Sequence, residues 1–328
     1  MMKLKKTWAV LLSLALILSF TACGEKPDSS SPASSAAPTA SAAPSEAVSG
    51  PVTITDREGV SLVLPEKVEK IISLAPSTTQ VLIDLGLEDK LVAVDKYSMP
   101  LLSEGRTLPQ FDIMHPDAEQ LANLQVDVIF ATGMSKAKGE DPLKLLRDMG
   151  AVVTYIPTSA SIAEIEKDVA FIAEVTGMPA KGQQMVEEMK NTIAQYAEIG
   201  KTITDKKTVY FEIGAAPKMY SFGKDVFLNE IIELIGAENI LKDQSGWISV
   251  SAEAVAAANP DVIMSNVDYL DDPVGEIKTR AGFETLSAVK NNQVYLIDKQ
   301  TSSYSNHNIV KAIREIAQAV YPEAYKGL

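Results

Sequence analysis

Ala118-Glu119-Gln120-Leu121-Ala122, closing on Asp127-Val128-Ile129, recurs without a gap as Ala252-Glu253-Ala254-Val255-Ala256, closing on Asp261-Val262-Ile263. A second matched pair precedes it, Gln80-Val81-Leu82-Ile83-Asp84-Leu85-Gly86 against Glu230-Ile231-Ile232-Glu233-Leu234-Ile235-Gly236. The same elements therefore return in the same order. A separation of well over 100 residues is too long for a solenoid repeat and suits whole domains. Two similar lobes with a cleft between them are the expectation.

Outward from the first copy, Ile71-Ile72-Ser73-Leu74-Ala75 is an apolar run of buried-strand character, and Pro76-Ser77-Thr78-Thr79 opens a helix with Val81, Leu82 and Leu85 on one face. Strands at 91–94, 127–131 and 152–156 alternate with helices at 117–124 and 142–149, an α/β order of parallel strands joined by helices. The second copy predicts strands at 208–213, 261–265 and 293–297 among helices at 226–235, 252–257, 275–281 and 309–320. Asp56-Arg57-Glu58-Gly59 between two alternating runs predicts a hairpin ahead of the first lobe. Between the lobes, Ser161-Ile162-Ala163-Glu164 is a capping box. A further helix over 180–199 follows, with Met185, Met189, Ile193 and Tyr196 on one face and Gly200 as stop signal. A connector of that length predicts stiff lobes. The fold class is α/β: two similar lobes with mainly parallel sheets, joined by a long backbone helix.

The N-terminus reads as an address. Lys3, Lys5 and Lys6 precede an apolar run from Trp8 to Phe20, and Cys23, the one cysteine in the chain, follows the small Ala22. This is a secretory signal with a lipoprotein cleavage site, Phe20 standing where Leu is commoner. A lipidated Cys23 would anchor the mature chain, since each buried CH₂ contributes ~0.8 kcal/mol and two acyl chains hold stably. Residues 25–50 collapse to Ser, Ala and Pro, a composition that cannot bury enough surface to order itself. The expected organisation is signal peptide 1–22, lipidated Cys and tether 23–50, N-terminal lobe 51–160, connecting helices 161–203 and C-terminal lobe 204–328. The net charge is −13, and −16 once 1–22 is removed with its three lysines and no acid, which argues against nucleic acid and an anionic lipid surface as partners.

Two lobes, a rigid connector and a lipid anchor resemble the substrate-binding proteins of ABC importers that take up ferric siderophores, haem and cobalamin. The resemblance runs from Pro51 to the C-terminus. It rests on 71–79, on Val92-Ala93-Val94-Asp95-Lys96-Tyr97-Ser98-Met99-Pro100, on Tyr220-Ser221-Phe222-Gly223, on 235–240 and on Trp247-Ile248-Ser249-Val250-Ser251-Ala252-Glu253. It implies a non-enzymatic receptor that captures an iron complex between its lobes, with a corrinoid or haem as alternative ligand. It also implies a permease dimer with ATPase subunits as partner, a monomeric chain and no resident cofactor. Carried over by position, the ligand walls are Tyr97, Met114, His115 and Met134 on one lobe and Tyr220, Trp247, Tyr304 and His307 on the other. Glu119 and Glu253 fall where the family presents one glutamate per lobe to arginines of the permease. His115 and His307, the only histidines, are open both to metal ligation and to hydrogen bonding. Many siderophore binders carry an arginine near the start of the final helix, where this chain has Asn308. No nucleophile elbow, P-loop or dinucleotide fingerprint supports a lipid-anchored enzyme.

Overall fold

The computed structural model describes residues 52–136 and 141–328. The signal peptide, Cys23 and the tether lie outside the described residues. The chain opens with an antiparallel hairpin, β1 (Thr53–Thr55) and β2 (Ser61–Val63), turning through Gly59. The first lobe follows as β3 (Ile71–Ser73), α1 (Pro76–Asp84), β4 (Leu91–Asp95), β5 (Gln110–Phe111), α2 (Ala118–Ala122), β6 (Val128–Thr132), α3 (Lys144–Asp148) and β7 (Val152–Ile156). Its five strands form one parallel sheet in the order β5-β4-β3-β6-β7. β6 and β7 are buried along their whole length, as strands covered on both faces must be.

Two helices connect the lobes, α4 (Ile162–Val175) and the 22-residue α5 (Pro179–Gly200), about 33 Å long at 1.5 Å per residue. Ser161 caps α4 by accepting the Glu164 N–H, as the capping motif predicts. The pair serves both cores. Ile162 and Ile165 of α4 and Met189 and Tyr196 of α5 pack with the second lobe, whereas Val169, Ile172 and Val175 of α4 and Val186 of α5 pack with the first. Gly182 lets the two helices touch, because a Cβ there would stand 2.2 Å from Ala173 Cβ. The connector is thus apolar packing along two helices, and no bendable loop carries the join.

The second lobe contains β8 (Thr208–Glu212), β9 (Tyr220–Phe222), α6 (Phe227–Leu234), β10 (Glu238–Asn239), β11 (Trp247–Ser249), α7 (Ala252–Ala258), β12 (Val262–Ser265), α8 (Pro273–Thr279), α9 (Ser287–Lys290), β13 (Val294–Leu296), α10 (Lys299–Ser303) and α11 (Ile309–Val320). Its parallel sheet runs β10-β8-β12-β13. Laid on the first lobe's sheet, this order pairs β10 with β4, β8 with β3, β12 with β6 and β13 with β7, so the repeat is one of topology as well as sequence. Its repeated residues do the same work twice. The Asp127 carboxylate accepts the Glu69 and Lys70 N–H groups ahead of β3, and the Asp261 carboxylate accepts Thr208 N–H at the start of β8. Gly86 and Gly236 end α1 and α6 at φ +78° and +83°.

One part of the second lobe departs from the parallel pattern. β9 and β11 form a separate antiparallel ribbon, with Tyr220 opposite Ser249 and Phe222 opposite Trp247. Three-residue strands are too short for a period of two to stand out, so the alternation of Tyr220-Ser221-Phe222 does not reveal it. Gly223 closes the ribbon where a Cβ would meet Gln244 O at 2.1 Å.

Candidate functional site

In open parallel sheets ligands bind outside the carboxyl ends of the strands, where loops diverge. In the first lobe those ends carry a cavity of about 230 Å³, lined by Ala75, Pro76, Ser77 and Thr78 beyond β3, Ile113 beyond β5, Thr132 and Met134 at β6, and Ile156, Pro157 and Thr158 at β7. Ser303, Tyr304 and Ser305 of the second lobe complete it. The cavity is therefore shared by both lobes. Among the described residues, seven of the thirteen that line it bear hydroxyls and none is a lysine or arginine. Burial, with nearby Asp95, Asp268 and Asp298, pushes the Tyr304 phenol above its ordinary range, so it stays a neutral donor.

Around the cavity the loops are pinned. The Ser135 hydroxyl donates to Ile113 O at 2.6 Å, and Thr132 Oγ1 accepts Met134 N–H at 3.1 Å. Asp112 gathers the neighbouring loop by accepting the Met114 and His115 N–H groups, which hold its carboxyl below the usual range. Lys96 lies 4.9 Å from the centre of the Tyr97 ring and 3.9 Å from Asp112. Lys136 bonds to Glu58 and sits 4.0 Å over the Tyr155 ring. Both cations are thus matched by acids.

On the second lobe, β9 and β11 present Tyr220 and Trp247 on one face of their ribbon, with the Tyr220 hydroxyl donating to Trp247 O at 3.3 Å. Trp247 stands edge-on to the buried Phe222 at 5.9 Å. That contact fixes the indole while leaving it 39 % exposed, so it is no core tryptophan. Beneath the ribbon, Arg280 makes a bidentate pair with Glu212 at 2.6 and 2.9 Å, bonds Glu276, and touches Met219 Sδ, all at almost fully buried positions apart from Glu276.

Of the expected wall residues, Met134 and Tyr304 line the cavity itself. Tyr97, Met114, Tyr220 and Trp247 are exposed on loops and ribbon and do not line it. The histidines do not share a centre. His115 is 80 % exposed beside Asp112, and His307 places Nε2 2.7 Å from Asp84 Oδ2 on α1. Among the described residues no group of three His, Cys, Asp or Glu side chains is arranged to hold a metal ion. Sequence reasoning misses Tyr269. It is 63 % exposed just beyond the carboxyl end of β12, with its hydroxyl accepting the Ala215 N–H at 2.8 Å. The one signal for it is an aromatic residue four positions past a parallel strand. Among the described residues, six of the twelve large apolar side chains that stand exposed are Tyr97, Met114, Tyr220, Trp247, Tyr269 and Met134, a concentration that marks a binding surface. Glu119 and Glu253 occupy the second position of α2 and α7, both exposed, behind the N-caps Asp117 and Ser251. Bonds from its own N–H and from Ser251 hold the Glu253 carboxyl below its ordinary range.

Residues 71–301 match the family model described as periplasmic binding protein. Over 324 residues the chain is 30 % identical to YvrC, an ABC transporter substrate-binding lipoprotein of Bacillus subtilis described as uncharacterized, covering 97 % of this chain and 98 % of that one. It is 25 % identical over 289 residues to a cobalamin-binding protein of Halobacterium salinarum, covering 84 % and 75 %. A solved structure of a possible iron-binding, periplasmic solute-binding protein from Staphylococcus epidermidis superposes with a TM-score of 0.66 at 29 % identity, over 78 % of this chain and all of that one.

Proposed function

This chain belongs to the periplasmic binding protein family, and from that premise we propose that it is the extracytoplasmic receptor of an ABC importer that captures a metal chelate of the corrinoid class between its lobes. The observation that carries the ligand class is the cavity: hydroxyl-lined, bordered by aromatic and methionine side chains, and with no cation among the described residues of its wall. A corrinoid presents amide and hydroxyl groups to such a wall and a broad flat face to Trp247, Tyr220 and Tyr269. Stacking there contributes about 0.5–1.5 kcal/mol per aromatic pair beyond area burial. An anionic ferric chelate would call for unpaired positive charge: Lys96 and Lys136 on the first lobe are matched by Asp112 and Glu58, and the exposed Lys218 and Lys224 beside the ribbon are what the second reading would use. Asn308 at the start of α11 supports the same choice. The likeness to the cobalamin-binding relative agrees with it. A ferric siderophore or haem is the second reading, favoured by the iron-binding neighbour. Tyr97, Met114, His115 and Met134 on one side, and Tyr220, Trp247, Tyr304 and His307 on the other, are the proposed contacts, with Tyr269 added.

Trp247 provides the test. Once residues 1–22 are cleaved with Trp8 it is the only tryptophan left, so indole emission reports one site. Cyanocobalamin is expected to quench it saturably at micromolar concentration or below, about 8 kcal/mol or more of binding free energy. Trp247→Phe should abolish the signal and keep most of the affinity by calorimetry. Saturation by a hydroxamate or catecholate siderophore or by haem, with none by cyanocobalamin, would transfer the assignment to the second reading. No saturation by any of them would end both.

Anchoring through a lipidated Cys23 is proposed with it, supported by the likeness to a relative described as a lipoprotein. Cys23→Ala protein is expected in the soluble fraction, and its retention on membranes after processing would count against the anchor.

A further inference from the structure

The lobes joined by α4 and α5 meet a second time along α1, and there hydrogen bonds from side chains of the second lobe cross to the first. Residues 304–308, between α10 and α11, reach from the second lobe to α1 of the first. Asn306 is buried, and its Nδ2 donates to Ser77 O at 3.4 Å while its Oδ1 accepts the Asn308 N–H at 2.9 Å. Beside it, His307 Nε2 lies 2.7 Å from Asp84 Oδ2, and Asn308 Nδ2 lies 3.3 Å from the same oxygen.

Asp84 ends α1, where the helix dipole opposes a negative charge. Burial opposes its ionisation too. Hydrogen bonds from His307, Gln80 and Asn308 outweigh that burial and hold the carboxyl below its usual range. The acid is therefore charged at a place that disfavours charge, and two of its three side-chain donors come from the other lobe. His307 is only 15 % exposed, and its Nδ1 is buried without a partner, so one bond through Nε2 carries the ring.

The position of these bonds gives them a role. Ser77 and Ser305 both line the cavity, one from each lobe; the Asn306 bond ends on Ser77 itself, and the His307 and Asn308 bonds lie about two turns farther along α1 at Asp84. The join through α4 and α5 rests on apolar packing and is not readily undone. The contact at 304–308 consists of hydrogen bonds that water can replace. We propose that residues 304–308 and Asp84 form a latch across the cleft whose opening limits the rate at which ligand enters and leaves. The exchange step rests on the cavity being the ligand site; the existence of the latch does not.

Hydrogen exchange read by mass spectrometry on the full lipidated chain in detergent tests the latch without any ligand. In Asp84→Ala and in His307→Ala, the amides of residues 306–309 are expected to exchange at least ten-fold faster than in the wild type, with α4 and α5 unchanged. The double variant should be no faster than either single one, because both substitutions break the same contact, and His307→Gln, which keeps a donor, should recover part of the protection. Unchanged exchange in the single variants, or a double effect equal to the product of the two, would overturn the latch. The second arm measures association and dissociation of cyanocobalamin by stopped flow in Asp84→Ala, where both are expected to accelerate about ten-fold with the affinity unchanged, as an opened gate requires and a lost ligand contact does not. Faster amide exchange with unaltered dissociation would refute the gating role. Failure of the wild type to bind cyanocobalamin would count against the proposed function, and the amide exchange would then decide the latch alone.

Discussion

Replacing Glu119 and Glu253 together by Ala is expected to leave ligand titrations unchanged and to cut uptake at least about 30-fold, corresponding to about 2 kcal/mol of docking free energy. Both side chains are exposed, in the first turns of α2 and α7, and neither lines the cavity. The fold should tolerate their loss. Each carboxylate contributes only ~0.3–1 kcal/mol through the helix dipole, and the caps Asp117 and Ser251 remain. An ion pair that becomes desolvated on docking to a permease arginine is worth more than an exposed one, since truncating one partner costs ~2–5 kcal/mol. The measurement is uptake in cells beside calorimetric titration of the purified variant. Loss of affinity in a folded variant would place these residues in the cleft and remove the docking assignment.

Arg280→Ala is expected to be the most damaging single substitution in the second lobe. Glu212 is 1 % exposed and takes a bidentate pair from Arg280, so truncation leaves a buried carboxylate without its counter-charge and with only the Tyr210 hydroxyl at 3.3 Å. Breaking such a pair by removing one partner costs about 3–5 kcal/mol. For a domain of this size, at roughly 2–4 °C per kcal/mol, the melting midpoint should fall by roughly 6–20 °C. Arg280→Lys should fall between, since an ammonium cannot reproduce the bidentate fork. The same guanidinium touches Met219, the residue before Tyr220, so ligand affinity should fall with stability. A midpoint within 2–3 °C of wild type, at most about 1.5 kcal/mol on the same scale, would show that Glu212 finds another partner or protonates at little cost.

Much of this architecture is legible in the chain. The duplicated helix and strand, the capping box at Ser161 and the four-four-three spacing of Met185, Met189, Ile193 and Tyr196 depend on neighbours within one or two turns, and the helix they predict over 180–199 differs from α5 by one residue at each end. Glu119 and Glu253 stand out for the same reason, because equivalent positions in a repeat can be aligned without knowing the fold. The cavity lining is only partly legible. Met134 and Tyr304 are reached through the family resemblance, whereas the seryl and threonyl hydroxyls of its wall carry no periodic signal.

Local sequence thus determined two α/β lobes on a long helical connector, since helix and strand periods and caps are set by residues close along the chain. Tertiary structure alone decided which side chains distant in the chain meet. Glu212 finds Arg280 at a separation of 68 residues, and Asp84 finds His307 at 223. Neither pairing follows from spacing, because a carboxylate accepts from whatever donor the folded chain brings within about 3 Å. His307 illustrates the difference: as one of two histidines in a loop it is open to metal ligation or hydrogen bonding, and the reach of residues 304–308 to α1 sets its Nε2 on a carboxylate of the opposite lobe.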